Sequence, residues 1–554
     1  MEKLKQDDVL VLTIDGYGMD GEGVAHADNY VIFVPFAMKG EQVRAKVTYV
    51  KKNLVFCELK EVLRPSKERV QYECNRFPRC GGCDLLHASY KEQLRIKKEN
   101  VETLFRKNAG LDIPINDVVP SPKQLAYRNK IQLPFGVVNG KTAVGFFREN
   151  SHKIVSISKC FLHGEWVEKL IDVFLTYAEK YNVKAYDEGS RTGVLRHLVA
   201  RFIDNKYCIV VVTNNAKLPR EKDLVSLLRE KIGDDFSLYY SPKAEHNNVI
   251  MGKTVVAIKE SPFIIDVLGV KVSLNPFSFL QLNDDVRDLI YTAVAERIPD
   301  GSTVIDAYAG VGILGATLAK RGARVYNIEI VPEATADGDV LAKENGLADR
   351  ITNINGDAAV LLPKLLKELN AKDQIHIILD PPRKGISAEV AAALNGLDCQ
   401  VKLFYISCNP ATLTRDLKLL SEKYDVEEVT PYDMFPQTKH VETLIQLSHK
   451  TPDSHIVVKV DFDKDNSIQT DTLLKNAQPY KPAERVTYKM IQAYVEEKYG
   501  FKVHTAYIAE VKRSYGLPMY DAPNAVEELK RPRQHPSKKM VEAIKDALKH
   551  FGII

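Results

Sequence analysis

The spacing of apolar positions changes several times along the chain, and each change predicts a different kind of element. Up to about residue 64 the apolar residues fall in short β-rich runs, Val9-Leu-Val-Leu-Thr-Ile, Tyr30-Val-Ile-Phe-Val-Pro and Glu41-Gln-Val-Arg-Ala-Lys-Val, separated by turns such as Gly16-Tyr-Gly-Met-Asp-Gly-Glu-Gly. Short, evenly spaced strands predict a small OB-like β-barrel. Leu85 to Val101 has the spacing of an amphipathic helix with a basic outer face. From Tyr127 to Ile265 the pattern is mostly strand-like, which predicts an α+β domain. From Phe277 onward helical and strand-like runs alternate, the signature of a doubly wound sheet. Beyond residue 450, Asp461-Phe-Asp-Lys-Asp-Asn-Ser reads as a polar linker preceded by the apolar Ile456-Val-Val-Lys-Val. Thr487 to Gly500 and Thr505 to Gly516 then read as helices ending at their glycines.

These shifts predict four parts: a barrel over 1–64, an α+β region over 65–275, a Rossmann-like α/β domain over 276–449, and a linker with a helical appendage over 450–554. A chain of 554 residues exceeds what one core supports, in keeping with that division. Its 45% hydrophobic and 27% charged residues are those of an ordinary globular protein. The formal charge of +4 requires any polyanion to be met by local basic patches. Lys46 to Lys52 in the barrel could contact phosphates, as could Tyr127-Arg-Asn-Lys, Val144-Gly-Phe-Phe-Arg and Val194-Leu-Arg-His-Leu-Val, where aromatics alternate with bases. Lys512, Arg513 and Lys530-Arg-Pro-Arg make the tail a candidate helix-turn-helix nucleic-acid module, with protein contact equally open. No apolar stretch reaches the ~18 residues of a membrane helix and the N-terminus lacks a signal pattern, so a cytoplasmic protein without a membrane partner is expected. A monomer is expected as well.

The chemistry gathers at strand ends. Ser407-Cys408-Asn409-Pro410 closes the apolar run Val401 to Ile406. Free cysteine commonly packs as a small hydrophobe. At the carboxyl end of a strand in an open α/β sheet, where active sites lie, a thiol can instead be a nucleophile. Earlier in the same domain, Gly310-Val-Gly312-Ile-Leu-Gly315 has the spacing of a dinucleotide loop. Glu329 ends the next run, placed to accept ribose hydroxyls in either a dinucleotide or an S-adenosylmethionine site. Asp306 before the glycines, Asp357 after a third run and Asp380 after a fourth complete a set of four strand-end acids. Together they favour S-adenosylmethionine, with Asp306 near its amino-acid portion and Asp357 facing its adenine. Asp380-Pro-Pro is followed by Arg383 and not by the aromatic that stacks on a flipped base in amine methylation. That departure leaves carbon as the methyl acceptor.

Cys74, Cys80 and Cys83, with Cys160 further on, supply four thiolates, the ligand set of an iron–sulfur cluster or of structural zinc. Eight cysteines in all are too sparse for a disulfide framework. Cys57, Cys208 and Cys399 have no motif company and are expected to pack.

The N-terminal pattern resembles the TRAM domain, an RNA-binding module. Phe279-Leu-Gln281-Leu-Asn283, Asp306-Ala-Tyr308-Ala-Gly310-Val-Gly312, Asp380-Pro-Pro-Arg-Lys-Gly385, Ser407-Cys408-Asn409-Pro410 and Thr438-Lys-His-Val-Glu442 occur in the order of the RNA 5-methyluridine methyltransferase family, which the chain resembles from about residue 8 to 448. With both a TRAM-like region and four cysteines it looks like the 23S rRNA members; tRNA members usually lack both. The resemblance implies S-adenosylmethionine as cofactor, a [4Fe-4S] cluster on Cys74, Cys80, Cys83 and Cys160, and 23S rRNA as partner. It implies addition of Cys408 to uracil C6 and removal of the C5 proton by Glu442. Gln281, Tyr308, Glu329 and Asp380 would join Asp306, Gly310, Gly312 and Asp357 around the cofactor, with Gln281 and Asp380 also able to touch the uracil edge. A tRNA uracil-C5 methyltransferase and a catalytically inactive iron–sulfur RNA-binding protein are the alternatives.

Overall fold

Alternation of apolar and polar residues gives the first six strands one dry face. The computed structural model describes residues 3–148, 151–245, 247, 249–369, 375–397, 401–450, 488–514 and 536–551, and forms two units, 1–453 and 454–554. In the first unit, β1 (Val9–Thr13), β2 (Gly16–Tyr17), β3 (Gly23–Ala27), β4 (Tyr30–Val34), β5 (Gln42–Lys51) and β6 (Leu54–Arg64) form a sheet of order β1-β5-β6-β4-β3-β2. Ile14, Ile32, Val34, Val43, Ala45 and Val55 make its core. Lys46 is paired with Asp7 at 2.7 Å and so is already partnered.

Helix α1 (Tyr90–Leu104) starts later than the apolar spacing predicts. Ser89 is its cap, its hydroxyl accepting from the Glu92 amide at 3.2 Å, while the amides of Asp84 and Leu85 are drawn away to the carbonyl of Gln437. Its basic face is not wholly solvated either: Lys97 is buried and paired with Asp433.

The strand-like middle region holds more helix than expected. β7 (Lys130–Val138), β8 (Lys141–Phe147), β9 (Ile154–Ser156), β10 (Leu195–Ile203), β11 (Lys206–Thr213), β12 (Phe236–Pro242) and β13 (Val256–Lys259) form a sheet of order β13-β12-β11-β10-β7-β8-β9. Helices α2 (Glu165–Lys180) and α3 (Glu221–Ile232) share its core through Val167, Leu170, Phe174, Leu224 and Leu228. Cys57 and Cys208 are buried, as packing residues should be; Cys399 lies outside the described residues.

A hairpin, β14 (Ile264–Val267) and β15 (Val270–Ser273), leads into α4 (Asp284–Arg297). There follow β16 (Thr303–Asp306), α5 (Ile313–Lys320), β17 (Arg324–Glu329), α6 (Pro332–Glu344), β18 (Ile351–Asn355), α7 (Ala358–Glu368), β19 (Ile375–Leu379), α8 (Ala388–Asn395), β20 (Val401–Ser407), α9 (Pro410–Leu420), β21 (Tyr424–Tyr432) and β22 (Glu442–His449). The sheet order is β18-β17-β16-β19-β20-β22-β21. Neighbours from β18 to β20 are parallel, whereas β22 runs antiparallel to both β20 and β21. The order turns back between β16 and β19, and ligands of such sheets bind beyond the strand carboxyl ends at that switch point.

In the second unit, α10 (Tyr488–Tyr499), α11 (Thr505–Ser514) and α12 (Lys538–His550) enclose a small core of Ile491, Val495, Ile508, Ile544 and Leu548. The linker read at Asp461, the apolar run before it, and Lys530 to Arg533 lie outside the described residues. No described helix is long and apolar enough to cross a membrane.

Candidate active site

The parallel strands are mainly apolar and are ended or followed by a polar residue, so the sheet delivers its chemistry to one rim. Asp306 and Glu329 are the last residues of β16 and β17, Asp357 and Asp380 follow β18 and β19, and Cys408 follows β20. Glu442 reaches the same rim because β22 is antiparallel: Ser407 pairs with Thr443, so the next residues, Cys408 and Glu442, come together. The proximity shows in their electrostatics, since Glu442 helps push the Cys408 thiol up.

Glu329 ties the glycine loop. Its carboxylate accepts from the Gly310 amide at 2.9 Å and from the Val331 amide at 2.8 Å. Gly312 has a φ of +79°, and a Cβ there would meet Asn327 Nδ2 at 2.4 Å; a side chain would close the cradle. Tyr308 lies in the same loop, half-buried. Asp357 is exposed and caps α7, accepting from the Ala359 amide at 2.9 Å. Gln281 is held by its backbone: its carbonyl accepts from Asn129 Nδ2 at 2.9 Å.

The rim is short of positive charge. Burial pushes the carboxyls of Asp306 and Asp380 up to about 7, and Asp306 is raised further by Asp380 and Glu329. Glu442 is pushed well above the carboxylate range by burial and by Asp380, against the pull of Arg383. Cys408 is pushed up to about 11, first by burial, then by Glu442 and Asp380, with Arg383 opposing. Asp306 Oδ1 is buried without a hydrogen-bond partner among the described residues. An acid with one unpartnered oxygen among like charges fits a cationic ligand, and the sulfonium and ammonium of S-adenosylmethionine would lower every one of these groups.

Sequence reasoning missed the residues that hold the rim in place. Asp416 is fully buried and accepts from Tyr405 Oη at 2.7 Å and the Ile386 amide at 2.9 Å, so it fixes the Asp-Pro-Pro-Arg-Lys-Gly loop. The Thr412 hydroxyl donates to the Arg383 carbonyl at 3.1 Å. The loop before Glu442 is clamped from the other side by α1 and the segment after the cysteines. Lys97, fully buried, donates to the equally buried Asp433 and, at 3.0 Å, to the Phe435 carbonyl. Gln93 and Gln437 exchange two bonds of 2.9 Å. The Lys439 amide donates to Asp84 at 3.1 Å, and Tyr127 Oη to the Pro436 carbonyl at 3.0 Å. Gln437, with a φ of +69°, is the sharp bend these bonds enforce.

Cys74, Cys80, Cys83 and Cys160 line one cavity together with Arg128 and His163. Burial pushes the thiols of Cys80, Cys83 and Cys160 up, and neighbouring thiolates add to it, while Arg128 opposes. Buried thiols that repel one another suit a group of positive metal ions. Among the described residues no group of three or more His, Cys, Asp or Glu is arranged to hold a metal ion, so the structure does not bear out the expected metal site on these four cysteines.

Comparison with known proteins bears on the same regions. The profile of the tRNA (uracil-5-)-methyltransferase family matches residues 363–450, and that of the TRAM domain residues 6–60. A protein of Clostridium tetani described as an uncharacterized RNA methyltransferase is 35% identical over 452 residues, 80% of this chain and 97% of the relative. A protein of Bacillus cereus with the same description is 36% identical over 440 residues, 77% and 94% of the two chains. The crystal structure of Pyrococcus abyssi tRNA (uracil-54, C5)-methyltransferase in complex with S-adenosyl-L-homocysteine is similar with a TM-score of 0.63 at 26% identity, covering 79% of this chain and 99% of that one.

Proposed function

Given that the chain belongs to the RNA uracil-5-methyltransferase family, as an S-adenosylmethionine-dependent enzyme with a TRAM domain, we propose that it methylates C5 of a uridine in 23S rRNA, with Cys408 as nucleophile and Glu442 as base. The observation that carries this reading is the antiparallel pairing of β22 with β20, which sets a carboxyl beside a thiol at the rim.

Uracil C5 is a weak nucleophile. Addition of Cys408 Sγ to C6 opens the C5–C6 double bond and places the electrons on C5 and O4 as an enolate. Bound S-adenosylmethionine supplies the electrophilic methyl group. Glu442 then takes the C5 proton, the double bond re-forms, and Sγ leaves as thiolate. Gly310, Gly312, Tyr308, Glu329 and Asp357 would hold the cofactor, Asp306 would meet its cationic end, and Gln281 and Asp380 would contact the cofactor and the uracil edge. The order of events suits the electrostatics: burial and the neighbouring acids favour the thiol form of Cys408 and raise Glu442, and a cation entering the rim would favour the thiolate and the carboxylate together.

The four cysteines are assigned to a [4Fe-4S] cluster with a structural role, because the addition–elimination chemistry needs no electron transfer. Iron and sulfide analysis of protein purified without oxygen tests this; colourless protein carrying one zinc contradicts it. The 23S rRNA assignment rests on the joint presence of the TRAM domain and this cysteine set. The similarity to a tRNA (uracil-54, C5)-methyltransferase favours tRNA as the second reading. Mass spectrometry of 23S rRNA and tRNA from cells with and without the gene decides between them: a 5-methyluridine missing from 23S rRNA supports the first, one missing from tRNA the second.

A further inference from the structure

Two of the basic-aromatic clusters in the sequence, around Phe147 and around Arg196-His197, meet at a cavity apart from the strand-end rim. Phe147, His152, Tyr186, Glu188, Arg196 and His197 are among its lining residues. A bulge builds its wall. Along β10 and β11, Leu195 pairs with Thr213 and His197 with Val212, leaving Arg196 as an extra residue. Successive residues of a regular strand face opposite sides, yet Arg196 and His197 both line this cavity, and bulges re-aim side chains in this way.

The site is held rigidly and left unsatisfied. The Arg196 guanidinium lies 4.7 Å from the Tyr186 ring centroid and donates to the carbonyls of Lys243 and Glu245 at 3.0 and 3.3 Å. Tyr186 is only 6% exposed, and both its hydroxyl and His197 Nδ1 are buried without a hydrogen-bond partner among the described residues. Such groups are uncommon and point to a partner supplied from outside. At the mouth, His152 is stacked on Phe147, ring centroids 5.1 Å apart, and held to Glu188 at 2.9 Å. Its side chain remains 66% exposed, presenting a flat open face.

A flat platform, two unmet polar atoms and a fixed guanidinium are the equipment for gripping an unpaired base. We infer that this cavity receives a nucleotide of the RNA substrate that flanks the uridine being methylated. The inference rests on the substrate being RNA. Distance agrees with it: Asn129 touches the Gln281 carbonyl and Pro134 pairs with His197, a separation of about 17 Å along the strand. A few unpaired nucleotides span that gap.

The test uses the full chain and a fluorescein-labelled single-stranded oligoribonucleotide of mixed sequence, with His152→Ala removing the platform and Tyr186→Phe removing only the hydroxyl. Fluorescence anisotropy should show RNA binding weakened about tenfold in His152→Ala and severalfold in Tyr186→Phe, with S-adenosylhomocysteine affinity unchanged by calorimetry. RNA affinity within twofold of the parent in both variants overturns the inference. So does saturable AMP binding that the variants lose while RNA affinity persists, which would make the cavity a free-nucleotide site. If the parent methylates no RNA but the variants still lose RNA binding, the subsite stands and the methyltransferase reading falls.

Discussion

Lys97→Met tests whether the clamp on the 433–441 loop is needed to present Glu442. Methionine keeps the unbranched stem of lysine as far as its terminal carbon, without the ammonium, and so strands the Asp433 carboxylate, since both partners of the pair are fully buried. Removing one member of a buried pair costs about 3–5 kcal/mol, whereas replacing both with apolar residues is often neutral. Lys97→Met should therefore be strongly destabilised in urea, and Lys97→Met/Asp433→Leu should recover most of the loss. The Phe435 carbonyl loses its lysine in both, so a weaker hold on the loop persists in the double variant. Function should then fail at one step. With ordinary uridine RNA, the double variant should accumulate a covalent, methylated protein–RNA adduct, because addition and methyl transfer use Cys408 while release waits on Glu442. Denaturing gels with labelled RNA report the adduct. A double variant as unstable as Lys97→Met would show that the stranded carboxylate is not the cause of the loss, and one that slows adduct formation and release equally would show that the clamp does not present Glu442.

Other expectations follow from single groups. Gly312→Ala places a Cβ 2.4 Å from Asn327 Nδ2 at a φ of +79°, a strain of about 1–3 kcal/mol; calorimetry should show S-adenosylhomocysteine bound at least about tenfold more weakly. Because Asp306 and Asp380 are pushed up to about 7, a bound cation lowers them; S-adenosylmethionine binding should release protons near neutral pH and tighten as pH rises through about 7, seen as a buffer-dependent binding enthalpy. Cys408, pushed up to about 11, should be alkylated by iodoacetamide roughly tenfold faster per pH unit between pH 7 and 9, followed on its peptide by mass spectrometry; a plateau below pH 8.5 contradicts that. Glu442→Gln should trap the methylated adduct with uridine RNA while leaving cofactor affinity intact.

The rim was legible because the parallel strands are written as largely apolar runs, so the acid or thiol at the end of each one stands out. Asp306, Glu329, Asp380 and Cys408 were found that way, and the antiparallel return of β22 brought Glu442 to them. The clamp was not legible. Lys97 and Gln93 are separated by hundreds of residues from Asp433 and Gln437, and within α1 Lys97 looks like any solvated lysine of an amphipathic helix. Helix α2 was hidden for a local reason: it is rich in Trp, Val, Ile and Phe, which favour strands, and Gly164 at its N-cap makes no side-chain bond where Ser, Thr or Asp would have announced a start. The bulge at Arg196 left no mark either, since one extra residue in an alternating strand reads as noise until its partner strand is known.

The proposed chemistry stands or falls on attack of Cys408 on the base. Incubating the protein with 5-fluorouridine-containing 23S rRNA and S-adenosylmethionine tests it most directly, because fluorine at C5 leaves no proton for Glu442 to take and so arrests the reaction after methyl transfer. The expected product is a denaturation-stable protein–RNA adduct mapped to Cys408 and absent from Cys408→Ala; the same adduct in Cys408→Ala would rule out attack by this thiol.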